Sequence, residues 1–233
     1  SVHYADALIV RTRTRCDRHL LEDSQVRLIC TATIGFDHID TDFCKQAGIS
    51  WMACPGCNAQ AVCDYVEEAL NALFPLPSAP SIGVVGYGHV GSLVTQMARQ
   101  RGLKAVVSDP PLGMWGDVSG CDVITLHTPL TYTGNYPTFH LVNKAFLETL
   151  KPRAVIINAA RGGVVDEQAL LASAHPCVID CWEGEPSINR LLARSPHTVM
   201  ASYHIAGYSV QGKRNATRMC LKAVEDFFHL PAL

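Results

Sequence analysis

The chain has 233 residues, 48% hydrophobic and 17% charged, and its 19 basic and 21 acidic side chains leave a net charge of −2. This composition excludes a disordered or polybasic protein, so no general attraction to nucleic acid or to an anionic membrane is expected, and any anion site must be local. No basic segment followed by a signal-length apolar run opens the sequence, and no apolar stretch is long enough to span a bilayer, so the expected address is the cytosol.

In chain order, Asp6 to Arg11, Val26 to Thr31 and Ile49 to Ala53 are short apolar runs. Each is followed by a polar or glycine-containing turn and a helical stretch, a βαβαβ rhythm that predicts a parallel sheet. The turns after the first two runs fall at strand carboxyl ends, where α/β sheets bind ligands. Arg11, Arg13 and Arg15 alternate with Thr12 and Thr14. An extended backbone would put the guanidinium groups on one side, as a phosphate clamp or as a solvated edge strand. Lys213 and Arg214 are candidate additions to such a pocket.

Ten cysteines are scattered along the chain, many inside apolar segments where cysteine acts as a small hydrophobe. Cys54 and Cys57 have redox-motif spacing in CPGC, but without a second pair the reading preferred is a turn entering a helix, with no metal site. A helix from Asn58 to about Phe74 ends at Pro75. The proline-rich stretch that follows predicts a domain boundary, with residues 1–74 as a substrate-binding domain and 75–205 as a nucleotide-binding domain. Residues 206–233 are expected to pack back on the first.

Ser81 to Met97 reads strand, glycine turn (Gly86, Gly88, Gly91), helix. Glycines let the backbone approach a diphosphate, and the helix N-terminus, with His89 and Val90, favours its charge. The next strand ends at Asp109, about twenty residues on, where a carboxylate can accept the ribose hydroxyls of an adenosine. It would also repel a 2′-phosphate by about 4 kcal/mol at an effective dielectric near 20. No cation follows in Pro110, Pro111 and Leu112, so the cofactor expected is NAD rather than NADP. The connection from Asp109 to Asp122, with its prolines and glycines, is short for a helical crossover and predicts either a loop or a sequence lacking residues at this point.

Further apolar runs end on His127 with Thr128, on Asn158 with Arg161, on Asp180 with Glu185, and on His204. Polar residues at each end suit a doubly wound sheet with a site along that edge. A lone Arg161 is equally well read as pairing with Asp166. An arginine, an acid and a histidine at successive strand ends together supply what oxidation of a 2-hydroxy acid needs: a cation for the carboxylate, a base for the hydroxyl proton, and an acid to orient that base.

On the stretches VVGYGHVGS, SDPP, HTPL, NAARGGVVDEQAL, DCWEGEP and HIAG, the sequence resembles the D-isomer-specific 2-hydroxyacid dehydrogenases. The resemblance implies two Rossmann-like doubly wound parallel-sheet domains with a cleft between them, the substrate domain flavodoxin-like and incomplete at its N-terminus. It implies His204 as acid/base, Glu185 as its partner and Arg161 as carboxylate clamp. Cofactor contacts implied are Thr128, Ala159, Ala160, Asp180 and Gly207, beside the glycine turn and Asp109. Segments VRTRT, TATIGFDHID, CPGCNA and HIAGYSVQGK are most similar to members that oxidise 4-phospho-D-erythronate on the route to pyridoxal phosphate, and they imply Thr12, Thr33 and Tyr208 as substrate contacts. A phosphorylated 2-hydroxy acid as substrate and a homodimer are therefore expected. The alternatives are another D-2-hydroxy acid, such as 3-phosphoglycerate, or a non-catalytic NAD sensor. Against the family's pattern, Tyr203 stands where many members have proline. By the same pattern, the family's first strand and helix and a C-terminal dimerisation domain are expected to be absent from this stretch of sequence.

Overall fold

A computed structural model describes residues 2–73 and 80–231 of the chain. The expected boundary between residues 74 and 75 lies outside them. The chain forms two compact units, Ser1–Asn58 with Tyr208–Leu233, and Ala59–Gly207.

In the first unit, β1 (Ala7–Val10), β2 (Leu28–Thr31) and β3 (Ser50–Met52) form a parallel sheet in that order. Side chains alternate across β2. Ile29 packs with Phe43 and Cys44 of α2 (Thr41–Ala47) and with Leu21 of α1 (Arg18–Leu21), whereas Leu28 and Cys30 face the later helix that carries Ala216 and Cys220. Helices thus cover both faces of the sheet. The Asp40 side chain caps α2 by accepting from Phe43 N (2.8 Å), and Gly48, in the left-handed region at φ +69°, ends it. The thiols of Cys30, Cys54, Cys57 and Cys220 lie buried in this core.

One expectation fails here. Residues 11–15 are not extended: β1 stops at Val10, and Thr14 N donates to Arg11 O at 3.0 Å, closing a turn. Alternating arginine and threonine therefore does not make a one-sided stripe of guanidinium groups, and Arg15 pairs instead with Asp17 at 3.2 Å.

The second unit opens with α3 (Ala59–Ala72), counted with the first domain from the sequence. Its buried Val66, Ala69 and Leu70 pack with Ile82 and Val84 of β4 (Ser81–Val85) and with Val94 and Ala98 of α4 (His89–Gln100), so it belongs to the second core. The sheet continues with β5 (Lys104–Asp109), β6 (Met114–Trp115), β7 (Val123–Leu126), β8 (Val155–Asn158), β9 (Cys177–Ile179) and β10 (Thr198–Ala201). In space the order is β10-β9-β8-β7-β4-β5-β6. Every described pairing is parallel except β5 with β6. That short antiparallel edge, turned by Gly113 at φ +72°, was not foreseen. It explains the thin crossover: no α-helix lies between Asp109 and Asp122, only the 3-10 turn Pro110–Leu112, and Val118 packs against Gly83, where a Cβ would approach it to 2.7 Å.

Successive strand residues again serve opposite faces. Ile156 and Ile179 join the cluster holding Leu147 of α5 (Lys144–Thr149), Leu170 of α6 (Glu167–Ala172) and Leu192 of α7 (Arg190–Ala193), while Ile157 and Val178 join the α3–α4 side. Both faces are buried, as a doubly wound sheet requires. The chain then enters α8 (Val210–Phe228), capped by Ser209 Oγ, which accepts from Gly212 N at 2.9 Å. No helix among the described residues is long and apolar enough to cross a membrane.

Candidate active site

The carboxyl ends of β4, β5 and β7 build a cradle. Gly86 has φ +93°, and a Cβ there would come within 2.6 Å of His127 O; at Gly91 a Cβ would sit 1.9 Å from Gly86 O. Only glycine lets α4 begin this close to the strand. A Cβ at Gly88 meets nothing within 4 Å, so the turn faces open space in front of the unpaired N–H groups of the first turn, where His89 and Val90 lie. Asp109 Oδ2 accepts from Tyr87 N at 2.6 Å and Oδ1 from Leu112 N at 3.3 Å, so this carboxylate also ties the glycine turn to the end of β5. Beside it, Thr128 Oγ1 and His127 Nδ1 are buried with no hydrogen-bond partner among the described residues. Burial pushes the His127 imidazole down to about 3, so it is neutral. Unpaired buried polar atoms at the edge of a glycine cradle are what a bound polar ligand would satisfy.

The exits of β8, β9 and β10 carry the reactive groups. The Asn158 amide is 1% exposed and staples the next turn: Oδ1 accepts from Ala160 N (3.1 Å), and Nδ2 donates to Arg161 O (3.0 Å) and Cys181 O (3.3 Å). Ala159 and Ala160 lie in this turn. Arg161 Nη1 donates to Ala160 O at 2.8 Å, fixing one edge of the guanidinium, and no ion pair between Arg161 and Asp166 occurs among the described residues. Asp166 instead caps α6.

Glu185 and His204, far apart in sequence, meet: His204 Nδ1 lies 2.8 Å from Glu185 Oε2, while Glu185 Oε1 accepts from Trp182 N at 2.8 Å. The hydrogen bond to Glu185 raises the His204 pKa above its usual value, against burial and the nearby Arg161 charge. Glu185 sits below the ordinary carboxylate range, because the bonds from His204 and Trp182 and the His204 and Arg161 charges outweigh burial. The pair is partly exposed, and a histidine so held can take up and return a proton at Nε2.

Asp180 is fully buried. Its oxygens accept from Ser202 Oγ (2.6 Å), Ile205 N (2.8 Å) and Ala206 N (2.9 Å), and its carbonyl accepts from His204 N (2.8 Å). It thus shapes the loop holding His204 in the left-handed region at φ +53°. The Ser202 hydroxyl spends its one hydrogen on Asp180, so Tyr65 O–H must donate to Ser202 Oγ across 2.6 Å. Burial pushes Tyr65 up to about 12, so it remains a donor. Tyr65 gave no signal in sequence; it reads as an ordinary member of an amphipathic helix. Gly207 closes this unit.

In the first unit, Thr33 Oγ1 donates to Gly35 O (2.8 Å) and accepts from Thr31 Oγ1 (2.5 Å). Thr31 then accepts from His38 Nε2 (2.9 Å). The Thr33 hydroxyl hydrogen is therefore committed to its own turn. Arg11, Thr12 and Arg13 are exposed in the turn after β1. Tyr208 is exposed beneath Lys213, whose Nζ stands 4.7 Å from the ring centroid.

The family model described as "D-isomer specific 2-hydroxyacid dehydrogenase, catalytic domain" matches residues 1–232. The chain belongs to the D-isomer specific 2-hydroxyacid dehydrogenase family. Within this family it is 44% identical over 250 residues to the erythronate-4-phosphate dehydrogenase of Bacteroides thetaiotaomicron, covering 99% of this chain and 71% of that protein. It is 41% identical to that of Porphyromonas gingivalis, covering 99% and 67%. Among solved structures it is similar to NAD+-bound 3-phosphoglycerate dehydrogenase from Entamoeba histolytica (TM-score 0.82, 23% identity, 98% of this chain and 80% of that one). It is also similar to D-mandelate dehydrogenase from Rhodotorula graminis (TM-score 0.80, 20% identity, 96% and 80%). These two likenesses bear out the expected doubly wound α/β fold of a 2-hydroxyacid dehydrogenase.

Proposed function

We propose that the chain is an NAD-dependent dehydrogenase that oxidises 4-phospho-D-erythronate to 3-hydroxy-2-oxo-4-phosphooxybutanoate. The observation that carries the chemistry is the His204–Glu185 pair, held at 2.8 Å within reach of the Arg161 charge. The two relatives' names carry the substrate.

Oxidation at C2 removes a hydride from carbon and a proton from its hydroxyl. With Nδ1–H donated to Glu185, the His204 ring is fixed in the tautomer whose Nε2 lone pair takes the hydroxyl proton. Arg161, fixed along one edge, offers its other N–H groups to the substrate carboxylate. NAD, when bound, accepts the hydride. Gly86, Gly88, Gly91 and the start of α4 suit its diphosphate, Asp109 its adenosine ribose, and the unpaired Thr128 hydroxyl a further polar contact. Arg11 and Arg13 are the groups proposed for the substrate phosphate, and Thr12, Thr33 and Tyr208 are the further substrate contacts of this reading. A homodimer is part of this reading.

The deciding assay follows NADH formation with 4-phosphoerythronate, erythronate and 3-phosphoglycerate. Preference for the first is expected. Equal rates with erythronate would remove the phosphate from recognition, and no turnover with any of them would favour the NAD sensor.

Asp109→Ala is expected to weaken NAD binding and to raise the NADP to NAD affinity ratio, since the charge opposing a 2′-phosphate disappears. Because Asp109 also ties Tyr87 N, affinity for both should fall, so the ratio of dissociation constants is the informative quantity. An unchanged ratio removes Asp109 from cofactor selection.

Tyr65→Phe leaves Ser202 without its donor and loosens the loop of His204. A drop in kcat of about 3- to 10-fold is expected, together with a shifted inflection in its pH profile. An unmoved inflection would leave Tyr65 a purely packing residue.

A further inference from the structure

We propose that Cys181, Glu185 and His204 form a binding site for a soft divalent cation such as Zn2+, and that its occupation switches the acid/base pair off. One ligand atom from each, a thiol sulfur, a carboxylate oxygen and a ring nitrogen, lie within 4.8 Å of one another. Tetrahedral zinc with bonds of about 2.3 Å to sulfur and about 2.0 Å to nitrogen and oxygen needs ligands roughly 3.3 to 3.6 Å apart. The His204 Nδ1 to Glu185 Oε2 contact of 2.8 Å therefore has to open slightly, and a spacing as wide as 4.8 Å has to close by about 1 Å.

The layout permits entry. His204 and Glu185 are partly exposed while Cys181 is 1% exposed, so an ion arriving between the imidazole and the carboxylate reaches the thiol as its inner ligand. Among the described residues, Cys181 Sγ makes a 3.5 Å contact to Ala160 O, a weak bond for the metal to replace. The Glu185 and Asp180 carboxylates lie close enough to Cys181 Sγ for their charge to act there and favour a cation, against the charge of Arg161. Sulfur, imidazole and carboxylate together select zinc or cadmium over magnesium or calcium.

The consequence follows from the imidazole. Binding forms a metal–sulfur bond and releases the thiol proton to solvent. It also takes the Nδ1 lone pair, so the ring's single proton must sit on Nε2. That nitrogen then has no lone pair for the substrate hydroxyl, and Glu185 is no longer its partner. The inhibition, though not the binding, rests on the dehydrogenase reading.

The test uses the whole chain with Cd2+ as probe, in the absence of substrate and cofactor. One equivalent of Cd2+ should produce a thiolate-to-cadmium absorption band that Zn2+ displaces and that Cys181→Ser lacks, although nine other cysteines remain. In turnover assays, Cys181→Ser should keep the basal rate and need at least tenfold more free Zn2+ for half inhibition. Cys181→Val, which preserves size and apolarity, replaces the serine variant if that one unfolds. If neither folds, the parent decides: one equivalent of Cd2+ must shift the nitrogen resonances of the His204 ring. Equal bands and equal zinc sensitivity in parent and variants, or unmoved His204 resonances, would overturn the site. Absence of turnover throughout would sink the dehydrogenase reading and leave the cadmium result standing by itself.

Discussion

Replacing His204 with alanine is expected to lower kcat by about 10²- to 10⁴-fold while leaving the NAD dissociation constant nearly unchanged. On the proposed mechanism the substitution removes the group that takes the hydroxyl proton, and it touches neither the glycine turn nor Asp109. Its partner sets the pH dependence. The Glu185 hydrogen bond favours the protonated ring and raises its pKa. Oxidation needs the unprotonated ring, so kcat/KM for oxidation should rise with pH through that raised value. Reduction needs the protonated ring and should fall through the same value. Glu185→Gln withdraws the carboxylate, so the inflection should move to lower pH in both directions of the reaction. Initial rates in both directions across pH check this, and a His204→Ala protein turning over at the parental rate would end the assignment.

How far the sequence could be read depends on the range of the interactions. The strands of the second unit were legible because buried β-branched runs such as Val123–Leu126 and Cys177–Ile179 stand between turn residues, a local signal. The glycine turn was legible because three glycines at that spacing leave few other uses. The turn at Arg11 to Thr14 was misread, since alternating arginine and threonine carries no apolar face to separate strand from turn, and one backbone hydrogen bond decides it. The placement of α3 escaped because an amphipathic helix does not declare which sheet it covers. The direction of the Tyr65–Ser202–Asp180 chain depends on three segments converging, and the approach of Cys181 and Glu185 to His204 on two. No local spacing encodes that convergence.

The other large effect belongs to Arg161. Its guanidinium donates to Ala160 O along one edge, and the turn beneath it is held by the Asn158 amide, so the free edge is presented with little freedom left to lose. Arg161→Ala should lower kcat/KM for oxidation by about 10²- to 10³-fold, the scale of losing a donor aimed at charge in a transition state. Arg161→Lys should recover only a small part, because an ammonium keeps the charge but not the two parallel donors. Gly162→Ala provides a second route to the same loss. A Cβ there would stand 1.9 Å from Trp182 O, so the turn must move and carry Arg161 with it, at a cost in stability that Arg161→Ala does not share. Electrostatics supplies an independent sign. The Arg161 charge opposes protonation of His204, whereas Glu185 favours it. Removing Arg161 should therefore move the residual pH inflection upward, opposite to Glu185→Gln. Arg161→Ala with a large loss and an inflection moved upward places the guanidinium beside the proton-transfer pair. The same loss with an unmoved inflection would place its action elsewhere on the substrate, and parental kcat/KM would remove Arg161 from the site.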